Sequence, residues 1–530
     1  MPRLALAPRL AACGLSAPLI GAAALAAATP AAAQDGAAGA LARDQACEAL
    51  GASGLFANAM VSEARMSAPA VGGAYCEVKA TLSPVAGSHI GVVYRLPLAW
   101  NGRVVGYGGG GWAGNVRIET VAADLARGYA TMQTDGGHPS PNPGDATWTA
   151  PGGKPDEIAL NDFAWRAVHA MTVTGKQVAA RFYGRAQDKA LFIGCSAGGR
   201  MALMEAQRFP ADYDGIVSGA PVYSLRVQLG EIYRDWVFTP AGAALQPGHI
   251  KLIHEAVLAQ CDAADGVKDG ILSDPAACKF DPAQLKCQAG QAADQCLNDA
   301  QITAVRRLYT EAKGPDGVVY VYPYSRGSEP GWLQALNITA DPQKAAHVRD
   351  LDLRAVMFGD PNFSFAAFDV ARDGPKARAT AFAKYYEAVD PDLKPFLSRG
   401  GKLILWHGLD DQLPSPWGTV AYDQQMRQTV GPLAADTRLF LAPGVLHCGG
   451  GPGPSSMDLL GAVDSWVKTG VAPERLTATR PQPTGRPQGP GPAAPAGPFV
   501  PMTRPVCAYP AQARYDGKGD PNVEASFTCR

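Results

Sequence analysis

A serine hydroxyl becomes a useful nucleophile only when a base removes its proton, and that base needs a carboxylate to hold its tautomer. One set of residues in this chain could supply all three groups. Gly194-Cys195-Ser196-Ala197-Gly198 stands between the apolar run Leu191-Phe192-Ile193 and a helix-forming segment, Arg200 to Arg208. Strand, tight glycine-flanked turn and helix form the setting of a nucleophile elbow, which lifts the serine hydroxyl above the edge of a sheet. The plainer alternative is a glycine-rich loop whose serine caps the helix. Farther along, the run Lys402 to Trp406 leads into His407-Gly408-Leu409-Asp410-Asp411, and Thr437 to Leu441 leads into a glycine-rich loop bearing His447. Serine, then acid, then histidine is the chain order used on such sheets. His447 is therefore the candidate base, while Asp410 and Asp411 compete for the acid. Of the eight histidines, His138 and His407 also follow strands, and both are candidates for lining the pocket.

Acyl transfer also needs backbone N–H groups aimed at the developing oxyanion. Ala197, directly after the serine, is one candidate donor, and Gly110 in the Gly108–Gly111 loop is the other. A dinucleotide-type glycine loop is the alternative, but the spacing lacks that fingerprint and its acidic partner. A second constellation lies in Cys261-Asp262-Ala263-Ala264-Asp265-Gly266-Val267-Lys268-Asp269-Gly270-Ile271. Three carboxylates this close repel one another unless they are solvated or share a cation, and hard oxygen donors suit calcium. The spacing is not that of an EF-hand, so a solvated acidic turn is the alternative.

The elements that must position these groups follow from pattern. Arg103 to Tyr107, Tyr129 to Thr134 and the elbow strand read as strands, and Asp162 to Phe182 has helical spacing between the last two. Such alternation argues for a mostly parallel sheet with helices on both faces. From about Ala220 to Leu393 the alternation stops, which reads as an inserted lid; the sheet resumes at Lys402. Trp332, Phe363 and Phe365 in that insertion could grip an aromatic ring or pack the lid's own core. Arg480 to Pro501 is rich in proline and glycine and reads as a surface linker.

Composition narrows the class. The 530 residues carry a net charge of −1 with 18% charged residues and no basic block, which argues against a nucleic-acid partner. Arg3 and Arg9 lead into an alanine- and leucine-rich run that ends near Ala31-Ala32-Ala33, so residues 1–33 read as a cleaved export signal. With the signal removed, no membrane association is expected, and the location is secreted or periplasmic. Cys13 would leave with the signal, and the remaining ten of eleven cysteines form an even set that reads as disulfides. Spacing suggests Cys47–Cys76, Cys261–Cys278, Cys287–Cys296 and Cys507–Cys529. Cys195 and Cys448 are left for each other, although spacing alone does not fix connectivity. That last bond would hold the serine and histidine loops together.

Taken together, GCSAGGR, GGGGW, TDGGH, CDAADGVKDG, HGLDDQLPSP, PGVLHCGG and RPVCAYPAQARYDGKGD resemble the tannase/feruloyl esterase family, from about Cys47 to Cys529. The resemblance implies an α/β-hydrolase fold, with a catalytic domain of residues 34–222 and 389–530 and a lid of 223–388. It implies a Ser196–Asp411–His447 triad, selecting Asp411 over Asp410, and the Cys195–Cys448 bridge beside it. It also implies structural calcium held by the Asp262, Asp265 and Asp269 side chains and the Val267 and Ile271 carbonyls. The expected activity is hydrolysis of a small aromatic acid ester of the feruloyl, galloyl or terephthaloyl monoester type. A lipase or peptidase of the same fold and a non-catalytic, calcium-stabilised binding protein are the rival readings.

Overall fold

The computed structural model describes residues 41–69, 73–138, 140–341, 353–482 and 499–530. The expected export signal and most of the expected linker, residues 483–498, lie outside them. Nine strands form one mixed sheet: β1 (Ala59–Ser67), β2 (Tyr75–Leu82), β3 (Ile90–Pro97), β4 (Arg103–Tyr107), β5 (Ala130–Thr134), β6 (Lys189–Cys195), β7 (Gly215–Gly219), β8 (Lys402–Gly408) and β9 (Thr437–Ala442). Their order across the sheet is β1-β2-β3-β5-β4-β6-β7-β8-β9. The first three strands and the β3–β5 pair run antiparallel, and every neighbour from β5 to β9 is parallel. The parallel strands read as near-continuous apolar runs because helices cover both of their faces. Every residue of β7 is buried, as is every residue of β8 after Lys402.

Two helices flank the elbow strand. Helix α1 (Ala167–Tyr183) precedes β6, and α2 (Ala197–Arg208) follows it. The expected helix from Asp162 begins as a π-helical turn over Asp162–Arg166 before α1 proper. Buried Arg200 of α2 explains why that turn is retained. Its guanidinium donates to the Ala164 and Phe163 carbonyls at 2.6 and 3.1 Å and lies over the Tyr386 ring. A wide turn exposes carbonyls that a regular helix would use internally. At the other end of the sheet, α5 (Pro416–Val430) follows β8, and α6 (Leu459–Thr469) packs on β7 and β8 after α3 (Arg226–Trp236) and α4 (Pro247–Cys261) of the insertion.

Between β7 and β8 the chain contributes no strand to the main sheet among the described residues. Residues from Val237 to Ile338 build a core of their own around Trp332, Phe238 and Phe280. Those from Leu353 to Leu397 instead join the large core beneath the sheet, with Phe382, Tyr386 and Phe396 against it. The insertion is thus anchored by its second half. All five expected disulfides are present, including Cys195–Cys448, which spans 253 residues of sequence with Cα atoms 6.0 Å apart. No helix among the described residues is long and apolar enough to cross a membrane.

Candidate active site

Ser196 sits at the β6–α2 turn with φ 63° and ψ −124°, a conformation that side chains other than glycine rarely adopt. Backbone bonds on both sides hold it there: its N–H donates to Gly219 O at 2.9 Å, and its carbonyl accepts from Val222 N–H at 3.1 Å. The flanking glycines are required by close approach. A Cβ on Gly194 would lie 2.3 Å from Gly198 O, and one on Gly108 would lie 2.4 Å from Gly198 Cα. The elbow and the glycine loop are therefore packed backbone on backbone, which sets the loop's amides beside the serine turn.

Asp411 and His447 meet as the sequence order suggests. Asp411 Oδ2 accepts from His447 Nδ1 at 2.8 Å, and Oδ1 accepts from Leu413 N–H at 2.8 Å. This leaves His447 Nε2 as the free ring nitrogen, 3.7 Å from Cys448 Sγ. That sulfur is bonded to Cys195, the residue before Ser196. Nε2 thus lies beside the disulfide that joins this loop to the residue before Ser196. Gln412 steadies the histidine from behind, its Oε1 accepting the His447 backbone N–H at 3.1 Å.

His407 is not a pocket residue. It is fully buried, and its Nε2 lies 3.1 Å from Asp411 Oδ2 and 3.2 Å from Pro414 O, with Nδ1 2.8 Å from Thr419 Oγ1. Both neighbours of Nε2 are acceptors, which assigns the ring proton there and makes Thr419 the donor to Nδ1. Asp411 therefore lies between two imidazoles. Burial works to raise its pKa, but the electrostatic interactions and hydrogen bonds with His447 and His407 outweigh burial and hold it at about 2. Adjacent Asp410 has no such partners. Burial, aided by the Glu329 charge and opposed by His254, lifts its carboxyl to about 7. Environment separates two neighbouring aspartates: Asp411 is an ionised acceptor at neutral pH, and Asp410 is not reliably charged.

Other expected roles are revised. Gly110 N–H donates to Ala113 O at 3.2 Å, so it is committed to closing its own loop. Gly109 N–H faces only the Met201 thioether at 3.4 Å, a weak acceptor, and is the less committed donor. Ala197 opens α2, where an N–H has no acceptor within the helix. Trp332 is fully buried in the lid core, donating from Nε1 to Ser328 Oγ at 3.1 Å. Phe363 stacks on Phe358 at 3.8 Å, and buried Phe365 packs edge-on against both. The open space lies elsewhere. A cleft of about 570 Å³, in the size range of ligand pockets, runs along Gly108, Gly109 and Gly110, the Cys195–Cys448 bridge and Trp406. His138 stands apart from it, buried and stacked on Trp148 at 4.1 Å.

The acidic loop is all oxygen in its donors. Asp262 accepts from Gly270 N–H, Asp265 from Val267 N–H and the Ser273 hydroxyl, and Asp269 from Ile271 N–H. Arg504 pairs with Asp269 at 2.6 Å and tethers the C-terminal region to this loop. Lys268 and Arg514 add positive charge to the loop, so the case for a hard divalent cation rests on its oxygen donors alone. In the structure the three carboxylates are held by these loop bonds and are not gathered within the span of one ion.

The contrast between the two aspartates is measurable. The folded state holds the Asp410 proton up to about pH 7, whereas the ordinary value is 3.8. Between those values the unfolded chain has released a proton that the folded state keeps, so stability falls as pH rises through the window. Asp410→Asn cannot ionise and removes this loss. The melting temperature of the variant relative to wild type is expected to climb from pH 4 to pH 7.5. A pH-independent difference would contradict the assignment.

Comparison with known proteins agrees with the geometry. The family described as Tannase and feruloyl esterase matches residues 76–530. The chain is 34% identical to mono(2-hydroxyethyl) terephthalate hydrolase of Piscinibacter sakaiensis, across 88% of this chain and 87% of that protein. It is 31% identical to probable feruloyl esterase B-2 of Aspergillus terreus, across 86% of each. Among solved structures, feruloyl esterase B from Aspergillus oryzae superposes with a TM-score of 0.80 at 26% identity, covering 92% of this chain and all of that one. With a family match over most of its length, the chain belongs to the tannase and feruloyl esterase family and is a carboxylic-ester hydrolase.

Proposed function

We propose that Ser196, His447 and Asp411 are nucleophile, base and acid in the hydrolysis of a small ester of an aromatic carboxylic acid. The observation that carries this reading is the Asp411–His447 bond, 2.8 Å long, on a loop that a disulfide joins to the residue before Ser196. His447 Nε2 takes the hydroxyl proton as Ser196 Oγ bonds to the ester carbonyl carbon. The N–H groups of Ala197 and Gly109 receive the oxyanion. The imidazolium, stabilised by the Asp411 charge, then gives its proton to the departing alcohol. Water, deprotonated by the same imidazole, cleaves the acyl-enzyme and releases the aromatic acid.

The substrate class rests on the relatives, whose names include a terephthalate monoester hydrolase and feruloyl esterases. The cleft of about 570 Å³ borders the glycine loop and the disulfide, but neither Ser196 nor His447 lines it, so it is not assigned as the ester pocket. We further read the enzyme as exported, which five disulfides support. The acidic loop we read as a structural calcium site through Asp262, Asp265 and Asp269 with the Val267 and Ile271 carbonyls, lying between the lid and the C-terminal strands.

Release of aromatic acid from feruloyl, galloyl and terephthaloyl monoesters by wild type and Ser196→Ala tests the mechanism and names the class. Wild type is expected to cleave one class strongly, and the variant to lose at least about 10³-fold. Equal rates would overturn the nucleophile, and cleavage of aliphatic esters alone would overturn the substrate class. For the loop, a calcium chelator is expected to lower the melting temperature of wild type by several degrees, reversibly on adding calcium. Asp262→Asn should start low and not respond. A wild type indifferent to both treatments would remove the calcium reading.

A further inference from the structure

An imidazole and two carboxylates converge at the far end of the nucleophile helix. His169 stands in the first turn of α1, Glu205 in the last turn of α2, and Asp212 in the loop that leads to β7. One ligand atom from each lies within 4.8 Å of the other two. His169 Nδ1 is 2.7 Å from Asp212 Oδ2, and Phe209 stacks on the imidazole at 3.8 Å, which fixes the ring plane. Nine residues of helix separate Glu205 from Ser196, a rise of about 13 Å, so this cluster is distinct from the esterase site.

Glu205 is the group that needs explaining. It is 0% exposed, no N–H donates to either carboxylate oxygen, and the polar group it meets is the Asp212 carboxyl. A carboxylate stripped of water without a partner is costly. Burial first and the Asp212 charge second push its carboxyl well above the usual range. Lys176 acts the other way, but its ammonium donates to the Asp212 carbonyl and not to Glu205. Arg208, one turn away, lies over the Trp165 ring. The C-terminal end of α2 adds the negative end of a helix dipole. The two carboxyls face each other and hold a proton between them, which a divalent cation would displace.

We propose that His169, Glu205 and Asp212 form a structural site for a divalent first-row transition ion of the zinc type. One imidazole nitrogen with two carboxylate oxygens is a donor set such ions accept, and three protein ligands leave one position of a tetrahedron for water. The His169 side chain is 33% exposed, so the open position faces the solvent side. The ion ties the start of α1 to the end of α2 and thereby braces the helix that carries Ser196 at its other end. It takes no part in ester hydrolysis.

The test uses full-length protein stripped with a chelator, saturated with calcium and then dialysed against zinc chloride. Bound zinc is measured by inductively coupled plasma mass spectrometry, and melting temperature with and without zinc, for wild type, Glu205→Gln and His169→Gln. Wild type is expected to retain one zinc per chain more than either variant and to gain several degrees from zinc that they do not gain. Equal zinc in all three proteins, or none in wild type, would overturn the site. A zinc-independent wild type that Glu205→Gln stabilises would instead mark a proton-sharing carboxyl pair. His169 is only partly buried, so its variant keeps the comparison open if Glu205→Gln does not fold.

Discussion

A carboxylate kept charged away from water needs its hydrogen bonds complete, and the active site is arranged around meeting that need at Asp411. Two imidazoles and an amide bond to it, one imidazole from the end of its own strand and one from the loop after β9. Removing either imidazole would leave a buried charge short of a partner, the most expensive kind of defect. The same bonds orient His447, since an imidazole that donates from Nδ1 presents Nε2 as an acceptor. The lid takes part as well: Tyr324 donates to the Gln412 carbonyl at 2.6 Å, and Gln412 holds the His447 backbone. The insertion and the loops bearing Asp411 and His447 are therefore one hydrogen-bonded unit.

The second constraint is the distance between Ser196 and His447, which follow strands separated by two others. The Cys195–Cys448 bond spans that gap at the top of the sheet, while backbone packing of Gly108, Gly194 and Gly198 seats the glycine loop on the elbow. Rigid positioning of this kind lowers the reorganisation needed when charge develops on the substrate.

What the sequence made legible was mostly local. The elbow, the strands at Lys189 and Lys402 and the four short-range disulfides stand on local patterns, whereas the order of serine, acid and histidine and the Cys195–Cys448 pair, 253 residues apart, are read from the chain as a whole. The role of His407 was hidden, since it depends on Thr419 and Pro414 folding back across the end of β8. Gly110 and Gly109 are alike in sequence, and the bond from Gly110 N–H to Ala113 O separates them. Trp332 looks the same as a ligand-gripping aromatic until its burial among Tyr309 and Tyr324 is known. His169, Glu205 and Asp212 have no motif spacing at all; tertiary packing alone brings them together.

The central claim is that Asp411, and not its neighbour Asp410, orients the histidine that activates Ser196. The most direct measurement is the rate at which an aryl phosphonate labels the protein, with the adduct located by peptide mass spectrometry, in wild type, Asp411→Asn and Asp410→Asn. The account predicts an adduct on Ser196 that forms at comparable rates in wild type and Asp410→Asn and about 10³- to 10⁴-fold more slowly in Asp411→Asn. Labelling of Asp411→Asn at the wild-type rate, or an adduct on another residue, would contradict it.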